Sequence, residues 1–241
     1  MKSLRWIIPG ILLLAVPFSS CKKQVFNSIK GKGQTVTEIR DLSGFNKISL
    51  DIDAHVFYTQ DSVYYVEISA QQNVLDVITT EISSGELEID SRKWIRKHNG
   101  INIIVHSPDL YALDISGSGN IESAAGISTS TLELNVSGSG NITLSSIHSA
   151  ELEAKISGSG NISASGGTAT NQKSTISGSG NIDMQNLTAN HSDAKISGSG
   201  NISVWASNQL KATISGSGDI RYRGNPVVNT TISGSGSVIH I

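Results

Sequence analysis

The chain of 241 residues is poor in the residues that mark disulfide-linked, helical or strongly charged proteins. It has 1 Cys, so it can form neither an intramolecular disulfide nor a cysteine-based metal site. It has only 4 Pro, and 16% of its residues are charged, with a formal net charge of -2. So small a charge attracts no nucleic acid or other polyanion. With 24 Gly and 37% hydrophobic residues, the composition favours a globular protein of strands and tight turns.

The first 20 residues have the organisation of a secretory signal peptide. Two basic residues precede an apolar stretch, Trp6 to Phe18, which is shorter than the roughly 20 apolar residues of a membrane-spanning helix. Two small serines then end the segment. We therefore predict that residues 1–20 are a lipoprotein signal peptide and that residues 21–34 are a tether.

The single cysteine comes directly after those serines. The stretch Phe18-Ser19-Ser20-Cys21 resembles the lipobox of bacterial lipoproteins, although Phe18 departs from the usual Leu. The resemblance implies that Cys21 is acylated, for example with palmitate, and becomes the new N-terminus. At least two acyl chains then anchor the protein, which is enough for stable attachment. The alternative is an ordinary signal peptide followed by a stray thiol.

A short pattern recurs through the C-terminal half of the chain. The first copy is Ile115-Ser-Gly-Ser-Gly-Asn-Ile121, and its copies are spaced by 18 to 21 residues, which is typical of a solenoid. Alternating runs such as Leu132 to Val136 place aliphatic side chains on one face of a strand. We predict an all-β fold, a parallel β-helix or β-solenoid with coils of 18–21 residues. The later copies begin at Val136, Ile156, Ile176, Ile196, Ile214 and Ile232.

Each copy is expected to form a tight corner between two strands. The glycines are expected because so tight a corner needs positive φ angles, which are costly for other residues. The residue after each corner should stack on its counterpart in the next coil, so that amides hydrogen-bond along a structural ladder. The ladder consists of Asn120, Asn141, Asn161, Asn181, Asn201 and Asp219, with Ser237 in the last copy.

The sequence before the repeats has strand-like segments without Gly-Ser-Gly corners. Residues 35–110 are predicted to be either capping strands or degenerate first coils, because terminal repeats must close the core. The predicted domain therefore spans residues 35–241, with seven repeats in residues 111–241.

Several segments together resemble one family. Phe45–Leu50, Val56–Gln60, Asn73–Asp76, Gly85–Ile89 and the repeated Ile-Ser-Gly-Ser-Gly-Asn-Ile look like the autotransporter-adhesin head domain known as the GIN domain. The likeness covers nearly all of the predicted mature chain. It implies a β-helical fold in an envelope lipoprotein of the kind common among Bacteroidetes. The adhesin label of the family follows from its likeness to autotransporter passenger domains.

The repeats show no pattern typical of catalysis or metal binding. Their spacing never exceeds 21 residues, which leaves no long loops to build the walls of a cleft. The charged residues fall mostly one or two to a coil, as on a solvated face, and the 6 His lack the spacing of a zinc site. We therefore predict no enzyme, no cofactor and no metal site.

Two tryptophans are the candidate ligand-binding residues. Trp94 lies in the basic stretch Arg92–His98, and Trp205 follows a repeat. A tryptophan beside cations can stack on a sugar or anchor a protein partner, although Trp94 could instead pack at the end of a strand.

The leading hypothesis is an adhesin-like binding module of the cell envelope. It would be lipid-anchored in the outer membrane, exposed to the periplasm or the cell surface, and would offer its faces to a glycan, a protein or another copy of itself. Nucleic acid is not an expected partner. The alternatives are a structural or signalling lipoprotein of the periplasm without an external ligand, and a glycan-active enzyme.

Overall fold

The computed structural model describes residues 27–241, and its described part is a β-solenoid of about 6 turns. The predicted all-β fold is therefore confirmed. Within residues 27–241 the single α-helical turn is α1, Gln72–Leu75. The strands before the repeats are β1 Ser28–Lys30, β2 Thr35–Arg40, β3 Lys47–Leu50, β4 His55–Gln60, β5 Tyr65–Gln71, β6 Ile78–Ser83, β7 Glu86–Ser91, β8 Trp94–Lys97 and β9 Asn102–Ser107.

The repeats form long strands that pair in parallel with the next copy. The register follows the sequence repeat, because Asn141 lies beside Asn120, and Ile156 lies beside Val136. The strands of this part are β10 Ala112–Ile115, β11 Asn120–Val136, β12 Asn141–Ile156, β13 Asn161–Ala164, β14 Gly167–Ile176, β15 Asn181–Ile196, β16 Ile202–Ile214, β17 Ile220–Arg223, β18 Val227–Ile232 and β19 Val238–His240.

The N-terminal part combines parallel pairs, as in the repeats, with antiparallel pairs. Strand β3 pairs in parallel with both β10 and β7, and β4 pairs in parallel with both β11 and β9. The coil formed by β3 and β4 therefore lies between two layers. On one side is the first repeat, and on the other are strands β7 and β9, which come later in the chain than β3 and β4. Antiparallel pairs β2–β5, β5–β9 and β6–β7 complete this end, so the stacking order differs from the chain order.

The core is a set of aliphatic columns produced by the period of two along each strand. The first residue of each repeat motif is at most 1% exposed from Ile115 through Ile214. Ile232, at the same position of the last motif, is 46% exposed because no further coil in the described chain covers it.

The explanation predicted for the motif glycines is wrong. The glycines with positive φ in the described chain are Gly33, Gly44, Gly85, Gly100, Gly167 and Gly224, and none belongs to a Gly-Ser-Gly corner.

Close contact between coils requires these glycines instead. A Cβ on Gly158 would lie 2.0 Å from the carbonyl oxygen of Gly138, and a Cβ on Gly180 would lie 1.8 Å from that of Gly160. The same corners are joined by backbone hydrogen bonds, such as Ser159 N–H to Gly138 C=O at 3.0 Å.

Candidate binding groove

In-register stacking turns single exposed residues into continuous columns. On β12, Glu151 and Glu153 flank the buried Leu152, and the same arrangement recurs in the neighbouring coils. Two columns thus enclose a groove that crosses the coils, here named the axial groove, with a cavity volume of about 390 Å³. One column is Thr131, Glu151, Asn171, His191 and Gln209, and the other is Glu133, Glu153, Lys173, Asp193 and Lys211.

The residues between the columns form the floor of the axial groove. Leu152 is followed in register by two buried polar residues, Gln172 and Ser192. The Ser192 hydroxyl donates to Gln172 Oε1 at 3.0 Å, and the Gln172 amide donates to Ser174 Oγ at 3.3 Å. These side chains point inward, where Gln172 Nε2 also donates to Met184 Sδ at 3.2 Å, so the buried polar groups hold one another in place beneath the floor of the groove.

Hydrogen bonds between coils orient the side chains of both columns. Lys173 Nζ lies 2.9 Å from Glu153 Oε1, and Lys211 Nζ lies 3.1 Å from Asp193 Oδ2. Asn171 Nδ2 donates to Glu151 Oε1 at 2.6 Å. The hydrogen bond from Lys173 to Glu153, with the attraction of that carboxylate, raises the pKa of Lys173. The lysine therefore stays cationic.

Carboxylates outnumber cations in the axial groove. Glu133, Glu151, Glu153 and Asp193 face two ammonium groups, those of Lys173 and Lys211. Glu133 accepts a hydrogen bond of 2.6 Å from the Tyr111 hydroxyl, and this bond is the main cause of the raised pKa of Tyr111. An acidic groove with hydroxyl, amide and ammonium groups suits a ligand that is rich in hydrogen-bonding groups and carries no negative charge.

The predicted ladder residues lie in one column after the corners. Asn141 Nδ2 donates to Asn120 Oδ1 at 2.8 Å, and the backbone N–H of Asn141 donates to the same oxygen at 3.1 Å. The pattern repeats through Asn161, Asn181 and Asn201. Asp219 and Ser237 continue it through backbone N–H donors only, to Asn201 Oδ1 and Asp219 Oδ1 respectively. The column links the coils and lies apart from the axial groove.

The structure places neither candidate tryptophan in the axial groove. Trp94 begins β8, is 56% exposed, and borders a separate cleft with Asp51, Asp53 and Asp90. Trp205 lies in β16, is half-buried, and packs against the backbone of Gly224. They lie towards opposite ends of the stack.

Other sequence predictions concern parts or properties outside this groove. Cys21 and the signal peptide lie outside the described residues. Within residues 27–241 no three His, Cys, Asp or Glu residues are close enough together to hold a metal ion. The same part of the chain contains no helix that is long and apolar enough to cross a membrane.

The sequence interpretation missed the axial groove because it looked for loops as cleft walls. The walls are instead side chains of regular strands, and no repeat needs extra length to form them. Aligning the copies on their Gly-Ser-Gly corners would have shown the signal, since Glu133, Glu153, Lys173, Asp193 and Lys211 occupy one equivalent position.

The match to a family model identifies the class of protein. The model of the family described as "Putative auto-transporter adhesin, head GIN domain" matches residues 44–226. The chain therefore belongs to this family, as the sequence resemblance implied.

Solved structures agree with the assignment. A putative adhesin of Bacteroides fragilis is similar with a TM-score of 0.85 and 26% identity, covering 88% of this chain and 100% of that one. A putative adhesin of Parabacteroides distasonis has a TM-score of 0.74 and 26% identity, over 89% and 100% of the two chains. A putative adhesin of Parabacteroides merdae has a TM-score of 0.73 and 25% identity, covering 89% of this chain and 99% of that one. The comparison with curated proteins finds no match.

These relationships support an adhesin-like role at the cell envelope or surface. The family and these three similar structures are described as adhesins and not as enzymes.

Proposed function

We propose that the protein is an adhesin-like module of the cell envelope whose axial groove binds an extended, uncharged or cationic glycan. The observation that carries this proposal is the lining of the groove, which repeats polar groups in register from coil to coil. Stacked strands are about 4.8 Å apart, so hydrogen-bonding groups recur at a nearly constant interval along the groove. A polysaccharide also presents its hydroxyl groups at regular intervals.

The polar lining favours a glycan over a protein ligand. Protein interfaces concentrate their binding energy in buried aromatic and aliphatic anchors. The large apolar side chains that are exposed in residues 27–241 include Ile39, Phe57, Trp94 and Val227, and none of the set lines the axial groove. A protein partner would therefore find no pocket for an apolar anchor there.

Removing polar groups from the groove should weaken glycan binding. We expect the double substitution Glu151→Ala and Asn171→Ala to raise the Kd for a bound polysaccharide about tenfold or more, because it removes a carboxylate and an amide that face the ligand. The measurement is affinity electrophoresis through gels containing dextran, mannan, galactan, chitosan or alginate.

A matched control is available on the same two strands. Lys155 and Thr175 are register partners on β12 and β14, outside the groove, so Lys155→Ala with Thr175→Ala should leave the Kd within about twofold. Retention of alginate in preference to the uncharged polymers, or retention of none of the five, would contradict the glycan proposal. In the second case a periplasmic structural or signalling role would be favoured.

The envelope location is proposed to depend on acylation of Cys21. The sequence that precedes it supports a lipoprotein signal, and β1 begins only seven residues later at Ser28. We expect radiolabelled palmitate to be incorporated into the wild-type chain in cells and not into the Cys21→Ala variant. The variant should also appear in the soluble fraction, because one or more acyl chains would be missing. Equal labelling of both chains would refute the anchor.

A further inference from the structure

The short sheet of β1 and β8 carries a concentration of cations that the axial groove does not use. Residues 27–34 and 91–100 contain six Lys and Arg residues and no Asp or Glu. Ile29 and Ile95 pack against the core, whereas Lys30, Trp94, Arg96 and Lys97 are exposed. We name these four exposed residues the cap patch.

Two of these cations are neighbours without an anion between them. Lys30 pairs with Lys97 directly after an irregularity in the register of the two strands, and within the described chain neither side chain has an ion-pair partner. Like charges on adjacent strands destabilise a sheet. An external anion that faces the two lysines would offset this repulsion.

The nearest carboxylates lie beside the patch and do not neutralise it. Asp51, Asp53 and Asp90 border the cleft next to Trp94, and Asp53 is 3.6 Å from His98. None of them belongs to β1 or β8. The basic and aromatic outer face of the two strands thus remains open to solvent.

The length of chain before β1 indicates which anion is nearest. From Cys21 to Ser28 the chain can extend by at most about 25 Å, given roughly 3.6 Å per residue. If Cys21 is acylated, as proposed above, Ser28 stays within that distance of the lipid headgroups, and the cap patch lies on the short sheet that begins there. We infer that the cap patch, Lys30, Trp94, Arg96 and Lys97, docks on an anionic phospholipid surface, with Trp94 entering the interface.

The chemistry of the four side chains fits this partner. Lys and Arg near a membrane surface are attracted by anionic headgroups, and tryptophan prefers the boundary between headgroups and acyl chains. Docking at this end would leave the axial groove, which begins at Thr131 several coils away, directed to the side or away from the bilayer.

Vesicle binding by a chain that cannot be acylated tests the patch separately from the anchor. A chain from residue 21 with Cys21→Ser retains every described strand. It should sediment with vesicles of phosphatidylethanolamine and phosphatidylglycerol, and less with vesicles of phosphatidylcholine. Binding should weaken with added salt.

Charge-matched variants give the decisive comparison. Lys30→Gln with Lys97→Gln should reduce binding to the anionic vesicles about twenty-five-fold, at about fivefold per cation. Lys155→Gln with Lys195→Gln removes the same charge from exposed sites elsewhere and should change binding less than about twofold. In a Trp205→Phe background, the emission of Trp94 should shift to shorter wavelength when anionic vesicles are added.

Three results would overturn the inference: no binding to the anionic vesicles, equal losses in the two double variants, or an unchanged Trp94 spectrum. Because the tested chain carries no lipid, failure here leaves the acylation of Cys21 unaffected. Loss of palmitate labelling, conversely, would leave vesicle binding unaffected.

Discussion

Gly180→Ala is expected to lower the free energy of unfolding by about 3 kcal/mol or more, at the upper end of overpacking effects. The new Cβ would lie 1.8 Å from the carbonyl oxygen of Gly160 and 3.0 Å from Ile156 Cγ2. The backbone cannot move away freely, because Ser179 N–H is bonded to Gly158 C=O at 3.0 Å. In a thermal scan this loss corresponds to a decrease in Tm of about 6–12 °C for a domain of this size.

Gly166→Ala is the control for this prediction. Gly166 also lies at a turn, but its φ is not positive and its nearest neighbour would be Ser145 O at 3.8 Å from the added Cβ. We expect its free energy of unfolding to change by less than about 0.5 kcal/mol. Equal destabilisation by the two substitutions would show that close contact between coils is not the reason for the motif glycines.

Ile176→Ala is the second substitution with a large expected effect. Its side chain is 0% exposed and is stacked in register between Ile156 and Ile196. Truncation leaves a cavity that the rigid coils above and below cannot fill, so the free energy of unfolding should fall by about 3–5 kcal/mol.

Ile232→Ala makes the same change at the same motif position of the last coil. There the side chain is 46% exposed, and the free energy of unfolding should fall by less than about 1.5 kcal/mol. Denaturant titration would measure both effects, as a change in the midpoint concentration at an unchanged slope m. Similar losses at the two positions would contradict the assignment of Ile176 to a continuous core column.

The repeats made the solenoid predictable because their period fixes both the register and the inward face. The alternating Leu132–Val136 run and the recurring Asn-Ile after each corner are enough to place the strands. The reason why the motif requires glycine was not predictable in the same way. A positive φ angle and close contact between neighbouring coils both select glycine, and only the structure distinguishes the two causes.

The N-terminal stacking order could not be predicted from the sequence pattern. Strand β3 pairs with β7 on one side and with β10 on the other. In the pair with β7, the partners Lys47 and Glu86 are 39 residues apart in the chain. No repeat motif marks β7 or β9, so nothing in their sequences specifies these long-range partners. The axial groove had a weaker but visible signal in the equivalent positions of Glu153, Lys173 and Asp193.

The interleaved position of the coil formed by β3 and β4 divides the molecule into a fixed part and an extensible part. Residues 47–122 must all be present before that coil has both of its neighbours, so this end tolerates no change in the number of coils. Between Ile156 and Ile196, by contrast, each unit of 20 residues repeats the register of the one before it. Gain or loss of one such unit would lengthen or shorten the axial groove by about 4.8 Å and leave the N-terminal end unaltered. Coil number therefore sets the length of the axial groove.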